Sequence, residues 1–493
     1  MFFAVSFAFI TACTEKDEFP AGPRPAIFHA QGEMAGEPTR NGAILQSRLT
    51  AADAPVDGDV PGMRGVACFE ISTVPDFAHF LRTPWMEALP ENDFIVKTRI
   101  DRLKPGTRYY YRLVYGVTRD FLLRGEPCTF TTLANSTAET PVSFVVVTGM
   151  NYSFFHHGRP NHPETAYGGP DKASGYPALE TILGMAPDFF VGTGDNVYYD
   201  HPAGTRARTV SDMRRKWREQ FVQERFRRLF ARVPTYWEKD DHDYRYNDAD
   251  TTDVASTGKP GDPAIPSHAL GVAVFREQLP VVDPADESAR TYRTHRINRL
   301  LQIWLTEGRD YRSPNYIEDG PGKTLWGAEQ LAWLKETLLA SDATFKLLIS
   351  PTPLVGPDDA YKIDNHVNRA GFRHEGEEFF RWLGNKGFPD RNFYIICGDR
   401  HWQYHSAHPS GFEEFSCGAL VDANSRLGRI PGDPKSTDPD AEITQFYTQN
   451  EASGGFLRVA VRPGAGGSPP TAVFSFHDER GALLYSTTKT AHR

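Results

Sequence analysis

The sequence predicts a multidomain protein in which an all-β sandwich precedes an α/β domain of layered β-sheets flanked by helices. Two observations carry this prediction. Residues from about Ile27 to Leu133 have an all-β pattern, in which Leu103 to Leu113 joins a Pro-Gly turn to an alternating, tyrosine-rich strand. From Val142 onward, continuous β-branched runs alternate with helical segments, which is typical of an α/β layer architecture.

The composition is that of a soluble globular protein. The chain has 493 residues, of which 40% are hydrophobic and 24% charged, and at roughly 100–200 residues per domain it should hold two or three domains. These values exclude disordered, fibrous and polytopic membrane proteins. The net charge of −9 gives no general affinity for a phosphate backbone, so no nucleic-acid scaffold is expected.

The N-terminus resembles a bacterial lipoprotein signal. The apolar run Phe2 to Ile10 is shorter than the ~20 residues of a membrane-spanning helix. It leads into Ile10-Thr11-Ala12-Cys13, which resembles a lipobox with Cys13 as the lipidated residue. Residues 1–25 are therefore expected to be signal and tether. The protein would be exported to the periplasm or cell surface and would contact the membrane only through its lipid. The alternative is a frayed apolar tail.

Four further cysteines follow Cys13. Cys68 and Cys128 fall within one predicted domain, so they are the pair expected to bridge if a disulfide forms. The other two are Cys397 and Cys417.

The pattern L-x-P-x-T-x-Y-x-Y at Leu103 to Tyr111 resembles the tyrosine corner of fibronectin type III-like and immunoglobulin-like sandwiches, in which a tyrosine hydroxyl bonds to upstream backbone. We assign this sandwich to residues 26–133. The small and polar segment 134–141 is a predicted linker, and residues 142–493 form the predicted second domain.

Strands and helices alternate in the second domain. A long basic helix is predicted from Val210 to Arg232. Its arginines include Arg218, and such charge runs are usually solvated faces, although a clamp for a substrate phosphate is the alternative. The other predicted strands are Pro141 to Val147, Asp188 to Gly192, Val233 to Glu238, Phe345 to Ser350, Asn392 to Cys397, Phe456 to Arg462 and Ala472 to His477. The other predicted helices are Tyr176 to Met185, Trp326 to Ala340 and Glu375 to Leu383.

Three of the predicted strands end in acids and histidines. The clusters are Gly194-Asp195-Asn196-Val197-Tyr198, Asp240-Asp241-His242-Asp243 and Gly398-Asp399-Arg400-His401. Ligands bind beyond the carboxyl ends of strands in open α/β sheets. Converging carboxylates repel each other unless a cation neutralises them. Each motif alone would fit an ordinary turn, but the three together predict a metal centre.

The order GD-x-x-Y, acid-His-acid and GD-x-H resembles the calcineurin-type metallophosphoesterases. More closely, it resembles the PhoD-type alkaline phosphatase/phosphodiesterase family, which carries a fibronectin-like domain ahead of its catalytic domain. Gln31 to Leu49 resembles the entry strand of that family and Gly327 to Lys335 its late helix.

The resemblance implies roles for individual residues. Asp195 would bridge two metal ions, and Tyr198, Asp241, Asp399 and His401 would be further ligands. His242 would act on the departing oxygen, so Asp195 and His242 are the catalytic candidates. Arg400 and His405 are plausible substrate contacts.

One position departs from the family pattern. Gly149 stands where the family usually has a cysteine ligand to iron. Asn151 can supply an oxygen instead, or water can fill the position. The two metal ions are then calcium, manganese, magnesium or iron, and loss of the soft thiolate favours the oxygen-seeking ions.

The leading functional prediction is metal-dependent hydrolysis of phosphate mono- or diesters by a metal-bound hydroxide. A sulfatase or similar esterase acting on extracellular polymers is the first alternative. A non-catalytic, glycan-binding surface lipoprotein is the second. The expected partner is a small-molecule or polymeric ester, and the expected state is a monomer.

Overall fold

The computed structural model describes residues 26–254, 258–286 and 288–492, and the backbone of 11–13. The rest of the predicted signal and tether at 1–25, including the Cys13 side chain, lies outside the described residues. Within the described part, no helix is both long enough and apolar enough to cross a membrane.

The chain forms two compact units. The first contains the described residues up to Ala134 together with Trp217–Thr235 and Arg276–Ala289. The second contains Asn135–Lys216, Tyr236–Phe275 and the described residues from Arg290 onward. Two segments of the range 142–493 thus group with the N-terminal unit. The predicted division into continuous domains at 26–133 and 142–493, with a linker at 134–141, stays a prediction.

Within the first unit, the strands pair antiparallel in two groups. One follows the order Glu33–Gly36, Ala43–Arg48, Ile95–Ile100. The other follows the order Thr11–Cys13, Phe80–Arg82, Gly65–Ser72, Arg108–Gly116, Cys128–Thr131, with Met86–Ala88 and Leu123–Arg124 at its sides. Apolar side chains from both groups, among them Leu45, Phe69 and Leu113, form one buried core. An all-β N-terminal region is therefore observed.

The predicted tyrosine hydrogen bond is present. The backbone N–H of Lys104 donates to the Tyr109 hydroxyl at 2.8 Å. The ring of Tyr109 is buried and stacks on Phe130. This bond joins the turn before the strand Arg108–Gly116 to the core.

The expected disulfide does not form. All four cysteines with described side chains are free and buried. Cys68 pairs in register with Val114, and Cys128 pairs with Tyr111 on the opposite edge of the same strand. An intervening strand separates the two cysteines by about 10 Å, which is beyond the ~7 Å that a disulfide can span.

The second unit contains two mixed sheets. The strands of the first sheet are, in order, Leu483–Thr490, Thr471–Asp478, Gly455–Arg462, Val142–Val147, Phe189–Thr193 and Thr235–Glu238. The strands of the second sheet are, in order, Arg293–Arg296, Leu301–Leu305, Phe345–Ser350, Phe393–Cys397, Glu413–Cys417, Gln403–Ala407 and Thr444–Thr448. Parallel pairing runs from Leu301–Leu305 through Glu413–Cys417. The central strands are buried along their whole length, as their β-branched sequences predict.

The α-helices in the described part of the chain are short. They are Tyr152–His157, Pro177–Met185, Val210–Phe221, Glu224–Phe230, Asp241–Tyr244, His268–Gln278, Ala328–Ala340 and Arg373–Asn385. Outside residues 210–232, these helices either match the predicted helices to within a few residues or lie in stretches for which no helix was predicted.

The single basic helix predicted from Val210 to Arg232 is wrong. The segment forms two helices, and Gln223 between them has extended backbone angles of φ −63° and ψ 136°. The break contains neither Gly nor Pro, so the local sequence does not predict it. A fully solvated basic face is also wrong for Arg218, whose buried guanidinium donates to Asp59 at 2.7 Å and to Asp93 at 3.0 Å.

Candidate metal centre

The three predicted motifs follow strands of both sheets of the second unit. Asp195 follows Phe189–Thr193, Asp241 and His242 follow Thr235–Glu238, and Asp399 follows Phe393–Cys397. The glycine before each of two aspartates permits a close approach. A Cβ on Gly398 would lie 2.3 Å from the carbonyl oxygen of Thr193, and one on Gly194 would lie 2.4 Å from the Cβ of Asp240. The GD pairs therefore bring the strand ends together.

Asp195 is the centre of the group. It adopts a left-handed backbone with φ 54° and is almost fully buried. Its Oδ2 accepts the Tyr198 hydroxyl at 2.7 Å and contacts Nε2 of His401 at 3.0 Å. The Tyr198 hydroxyl and His401 Nε2 are 3.3 Å apart. Residues from the first and third motifs thus meet around one carboxylate.

The second motif joins the same group. Asp195, Asp241 and His242 each offer one ligand atom, and these atoms lie within 4.8 Å of one another. Nδ1 of His242 contacts Oδ1 of Asp200 at 2.7 Å. Asp200 therefore orients the imidazole.

Several buried carboxylate oxygens fit a cation. Asp195 Oδ1, Asp240 Oδ2 and Asp364 Oδ1 have no hydrogen-bond partner among the described residues. Burial, together with the neighbouring carboxylates of Asp241 and Asp399, raises the pKa of Asp195 well above its ordinary value. A buried oxygen with no partner is costly. A hard cation would supply the missing partner and favour the ionised acids.

Buried cations of the protein offset part of this negative charge. Arg309 pairs with Asp240 at 2.5 Å and with Asp364 at 3.0 Å, and Lys362 pairs with Asp248. Asp241, Asp248 and Asp364 form a further group of close carboxylates. The orphaned oxygen of Asp364 lies in this second group.

The two histidines of the motifs have opposite protonation tendencies. Burial lowers the pKa of His242, but the carboxylates of Asp200, Asp241 and Asp195 outweigh it and hold that pKa well above the ordinary value. Burial and the nearby cation Arg426 lower the pKa of His401 well below its ordinary value. The imidazole of His242 therefore favours its protonated form, whereas that of His401 favours the neutral form, which is the form that binds metal ions.

The chain matches the model of PhoD-like phosphatases over residues 144–457 and the model of their N-terminal domain over residues 20–126. It belongs to the PhoD-like phosphatase family. This membership confirms the predicted family and the predicted class of enzyme, a metal-dependent phosphoesterase.

Relatives agree with this assignment. Alkaline phosphatase D of Bacillus subtilis (strain 168) is 22% identical over 466 residues, which cover 88% of this chain and 75% of that protein. A solved structure titled "Structure of PhoD" has a TM-score of 0.70 at 18% identity and covers 96% of this chain and 90% of its own. Purple acid phosphatase PPD1 from yellow lupin seeds has a TM-score of 0.57 at 11% identity, with 94% and 74% covered. The two structures show that the fold is shared.

Three predicted site residues of this PhoD-like phosphatase have other contacts. Asn151 Oδ1 accepts the N–H of Phe154 and caps the helix Tyr152–His157. The oxygen that was expected to bind a metal ion is therefore used in a helix cap. Both ring nitrogens of His405 are bonded, one to Glu413 at 2.6 Å and one to Tyr485 at 3.1 Å.

These contacts leave His405 no ring nitrogen for a substrate, and the structure does not bring it to Asp195. Arg400 is buried, and its guanidinium pairs with Asp358 and Asp399. It therefore orients the third motif, and both of its terminal nitrogens are taken by these two carboxylates.

Several residues at the centre were not predicted. Asp200 and His201 directly follow the first motif, and extending that motif by a few residues would have found them. Arg309 follows the strand Leu301–Leu305. This is a fourth strand that ends in charged residues, so the same reasoning from the sequence could have found Arg309. No sequence pattern pointed to Asn424, because it lies in a short turn far along the chain.

The backbone at Gly149 is closely packed. Its φ is 66°, and a Cβ there would lie 2.9 Å from the Cβ of Ala419 and 3.2 Å from Nδ2 of Asn424. A cysteine at this position would require its neighbours to move. The close packing beside Tyr198 thus requires a glycine at position 149, and no space is left there for the side chain of a metal ligand.

Proposed function

We propose that the chain hydrolyses phosphate esters at a centre of two metal ions held by Asp195, Tyr198, Asp241, Asp399 and His401. The observation that carries the proposal is the meeting of Asp195, Tyr198 and His401 within hydrogen-bond distance, beside Asp241 and a buried, unpartnered oxygen of Asp195. Bound metal ions lower the pKa of a water ligand and hold the ester oxygens for in-line attack.

His242 acts on the leaving group in this proposal. Its Nδ1 is held by Asp200, so Nε2 remains to donate a proton to the departing oxygen. The nearby carboxylates raise the pKa of the imidazole, which keeps that proton available at neutral pH.

The metal ions are proposed to be calcium, manganese or magnesium rather than iron bound by a thiolate. Aspartate oxygens dominate the group, and no thiolate can arise at Gly149. Oxygen-rich sites favour hard cations. Elemental analysis of protein purified without added metal tests this assignment. A stoichiometric iron with a tyrosinate charge-transfer band would contradict it.

A direct assay tests the reaction itself. Stripped and metal-reloaded protein should cleave p-nitrophenyl phosphate or bis(p-nitrophenyl) phosphate, and Asp195→Ala should abolish this cleavage. Asp342→Ala, which alters a carboxylate with an exposed fraction of 83%, is the control and should retain full activity. Faster cleavage of p-nitrophenyl sulfate than of both phosphates would favour the sulfatase alternative.

We further propose that residues 26–133 form a fibronectin type III-like sandwich, joined by a linker at 134–141 to a catalytic domain at 142–493. The division of the strands into two groups with antiparallel pairing and the Lys104–Tyr109 hydrogen bond support this proposal. Expression of 26–133 alone, with its stability compared to that of the full chain, tests it. Failure to fold would mean that Trp217–Thr235 or Arg276–Ala289 is required.

We also propose that the protein is an exported, monomeric lipoprotein acting on small or polymeric extracellular esters. The apolar run that ends at Cys13 supports export and lipid attachment. The acidic net charge of −9 argues against a nucleic-acid scaffold.

A further inference from the structure

Asn424 contacts the candidate centre from the short turn Asp422–Asn424. Its Nδ2 donates to the Tyr198 hydroxyl at 2.7 Å and to the carbonyl oxygen of Gly149 at 3.1 Å. The side chain is 5% exposed. One buried amide therefore joins the tyrosine oxygen to the backbone that follows the strand Val142–Val147.

Arg159 holds the backbone on both sides of Asn424. Its Nε donates to the carbonyl oxygen of Ala423 at 2.6 Å, and its Nη2 donates to the carbonyl oxygen of Ser425. A planar guanidinium can hold two acceptors in fixed geometry at once. The position of the turn is thereby fixed by a residue from a distant part of the second unit.

The space around the Asn424 amide is closed on the side of Gly149. A Cβ on Gly149 would lie 3.2 Å from Asn424 Nδ2. The amide therefore fits against a position where only glycine leaves room.

The Tyr198 oxygen has a defined orientation as a result. It accepts the Asn424 N–H and donates its own hydrogen to Asp195 Oδ2 at 2.7 Å. A hydroxyl has one donor and two acceptor sites, so the amide occupies one acceptor site and directs the oxygen toward Asp195 and His401.

We propose that Asn424, held by Arg159, is the positioning residue that sets the Tyr198 oxygen at the metal centre. This inference rests on the proposed function, in which Tyr198 is a metal ligand. Asn424 itself touches neither substrate nor metal in this proposal and acts only through Tyr198.

A double-mutant cycle on metal affinity tests the inference. Chelator-stripped full-length protein is titrated with Ca²⁺ and with Mn²⁺ in a calorimeter. The variants are Asn424→Leu, Tyr198→Phe and the double variant. Asn424→Leu keeps nearly the same shape, adds no charge and removes the N–H donor, and we expect it to weaken metal binding at least tenfold. In the Tyr198→Phe background, the same change should alter the affinity less than twofold.

A matched control separates positioning from stability. Asn298 is a buried asparagine of the same unit whose Nδ2 donates to the carbonyl oxygen of Thr140 at 2.7 Å. Asn298→Leu should lower thermal stability without changing metal affinity. Arg159→Gln should reproduce a part of the Asn424→Leu loss of affinity, because the turn then loses both of its guanidinium contacts.

The outcomes are distinguishable. If Tyr198→Phe weakens metal binding but Asn424→Leu does not, the inference is overturned while the proposed centre stands. If Asn424→Leu weakens binding equally in the Tyr198→Phe background, Asn424 does not act through Tyr198 and the inference is again overturned. If Tyr198→Phe leaves the affinity unchanged, the ligand role of Tyr198 and the inference fail together.

Discussion

Asp195 and His242 lie in one group but have different partners. Asp195 contacts Tyr198 and His401 and retains an unpartnered buried oxygen. Nδ1 of His242 is hydrogen-bonded to Oδ1 of Asp200. In the proposed function, Asp195 therefore binds the cations and His242 delivers a proton.

This difference predicts separate losses for the two substitutions. Asp195→Ala should remove bound metal and activity together. His242→Ala should lower turnover by ~10²–10⁴-fold while the metal content stays near that of the wild type. The loss should be larger for alkyl phosphates than for p-nitrophenyl phosphate, whose leaving group needs little protonation. Equal losses for both esters would eliminate the acid role, and concurrent loss of metal would make His242 a ligand.

Glu479 predicts a pH-dependent change in stability. Burial, with Asp422 as the next cause, raises its pKa from 4.5 to about 7. Between these two values the folded protein holds a proton that the unfolded chain has released. The contribution of this group to stability therefore falls as the pH rises from 4.5 to 7.

Glu479→Gln removes that penalty. It should increase the free energy of unfolding at pH 8 by about 1–3 kcal/mol and change it little at pH 4.5, as measured by urea unfolding of metal-replete protein. Glu451→Gln, at an exposed position, is the control and should have no effect at either pH. An equal effect of Glu479→Gln at both pH values would disprove the titration.

The helix Val210–Phe221 illustrates how one element can carry both solvated and buried charge. Arg218 is buried and donates to Asp59 and Asp93, and Arg48 also pairs with Asp93 at 3.1 Å. Arg215, three residues earlier on the same helix, is exposed. The charge pattern in the sequence does not distinguish the two.

Substitution of these two arginines should therefore differ in effect. Arg218→Met leaves Asp59 and Asp93 with fewer partners and should lower the free energy of unfolding by about 3 kcal/mol. Arg215→Met should change it by less than about 0.5 kcal/mol. The midpoints of urea unfolding provide the measurement. Similar midpoints for both variants would mean that the Arg218 network contributes little.

The location of the protein depends on Cys13. If this residue carries a lipid, the wild type should be found in the membrane fraction of the native host, and Cys13→Ala should move it to a soluble fraction. Cys68→Ala, at a buried cysteine of the first unit, is the control and should leave the distribution unchanged. Recovery of the wild type as soluble cytoplasmic protein would show that the N-terminus is no lipoprotein signal.

Much of the fold and of the centre was predictable because the relevant signals are local. A strand buried on both faces is a continuous apolar run, and two of the candidate aspartates closely follow such runs at Phe189–Thr193 and Phe393–Cys397. The resemblance to a tyrosine corner rests on a local pattern too, and the hydrogen bond that it implies joins Lys104 and Tyr109, which are only five positions apart. Position at a strand end pointed to the three motifs, and the family resemblance then singled out Asp195, Asp241, Asp399 and His401 as candidate ligands.

Tertiary contacts decided the features that depend on partners distant in sequence. Asn424 and Tyr198 are 226 residues apart, and Arg218 and Asp59 are 159 apart. Hydrophobic periodicity indicates which face of an element is buried, but it does not indicate which polar group from another part of the chain contacts that face. For the same reason His405 was expected at the centre although Glu413 and Tyr485 occupy its ring nitrogens. Only the packing of the sheets determines which strand ends, turns and guanidinium groups meet.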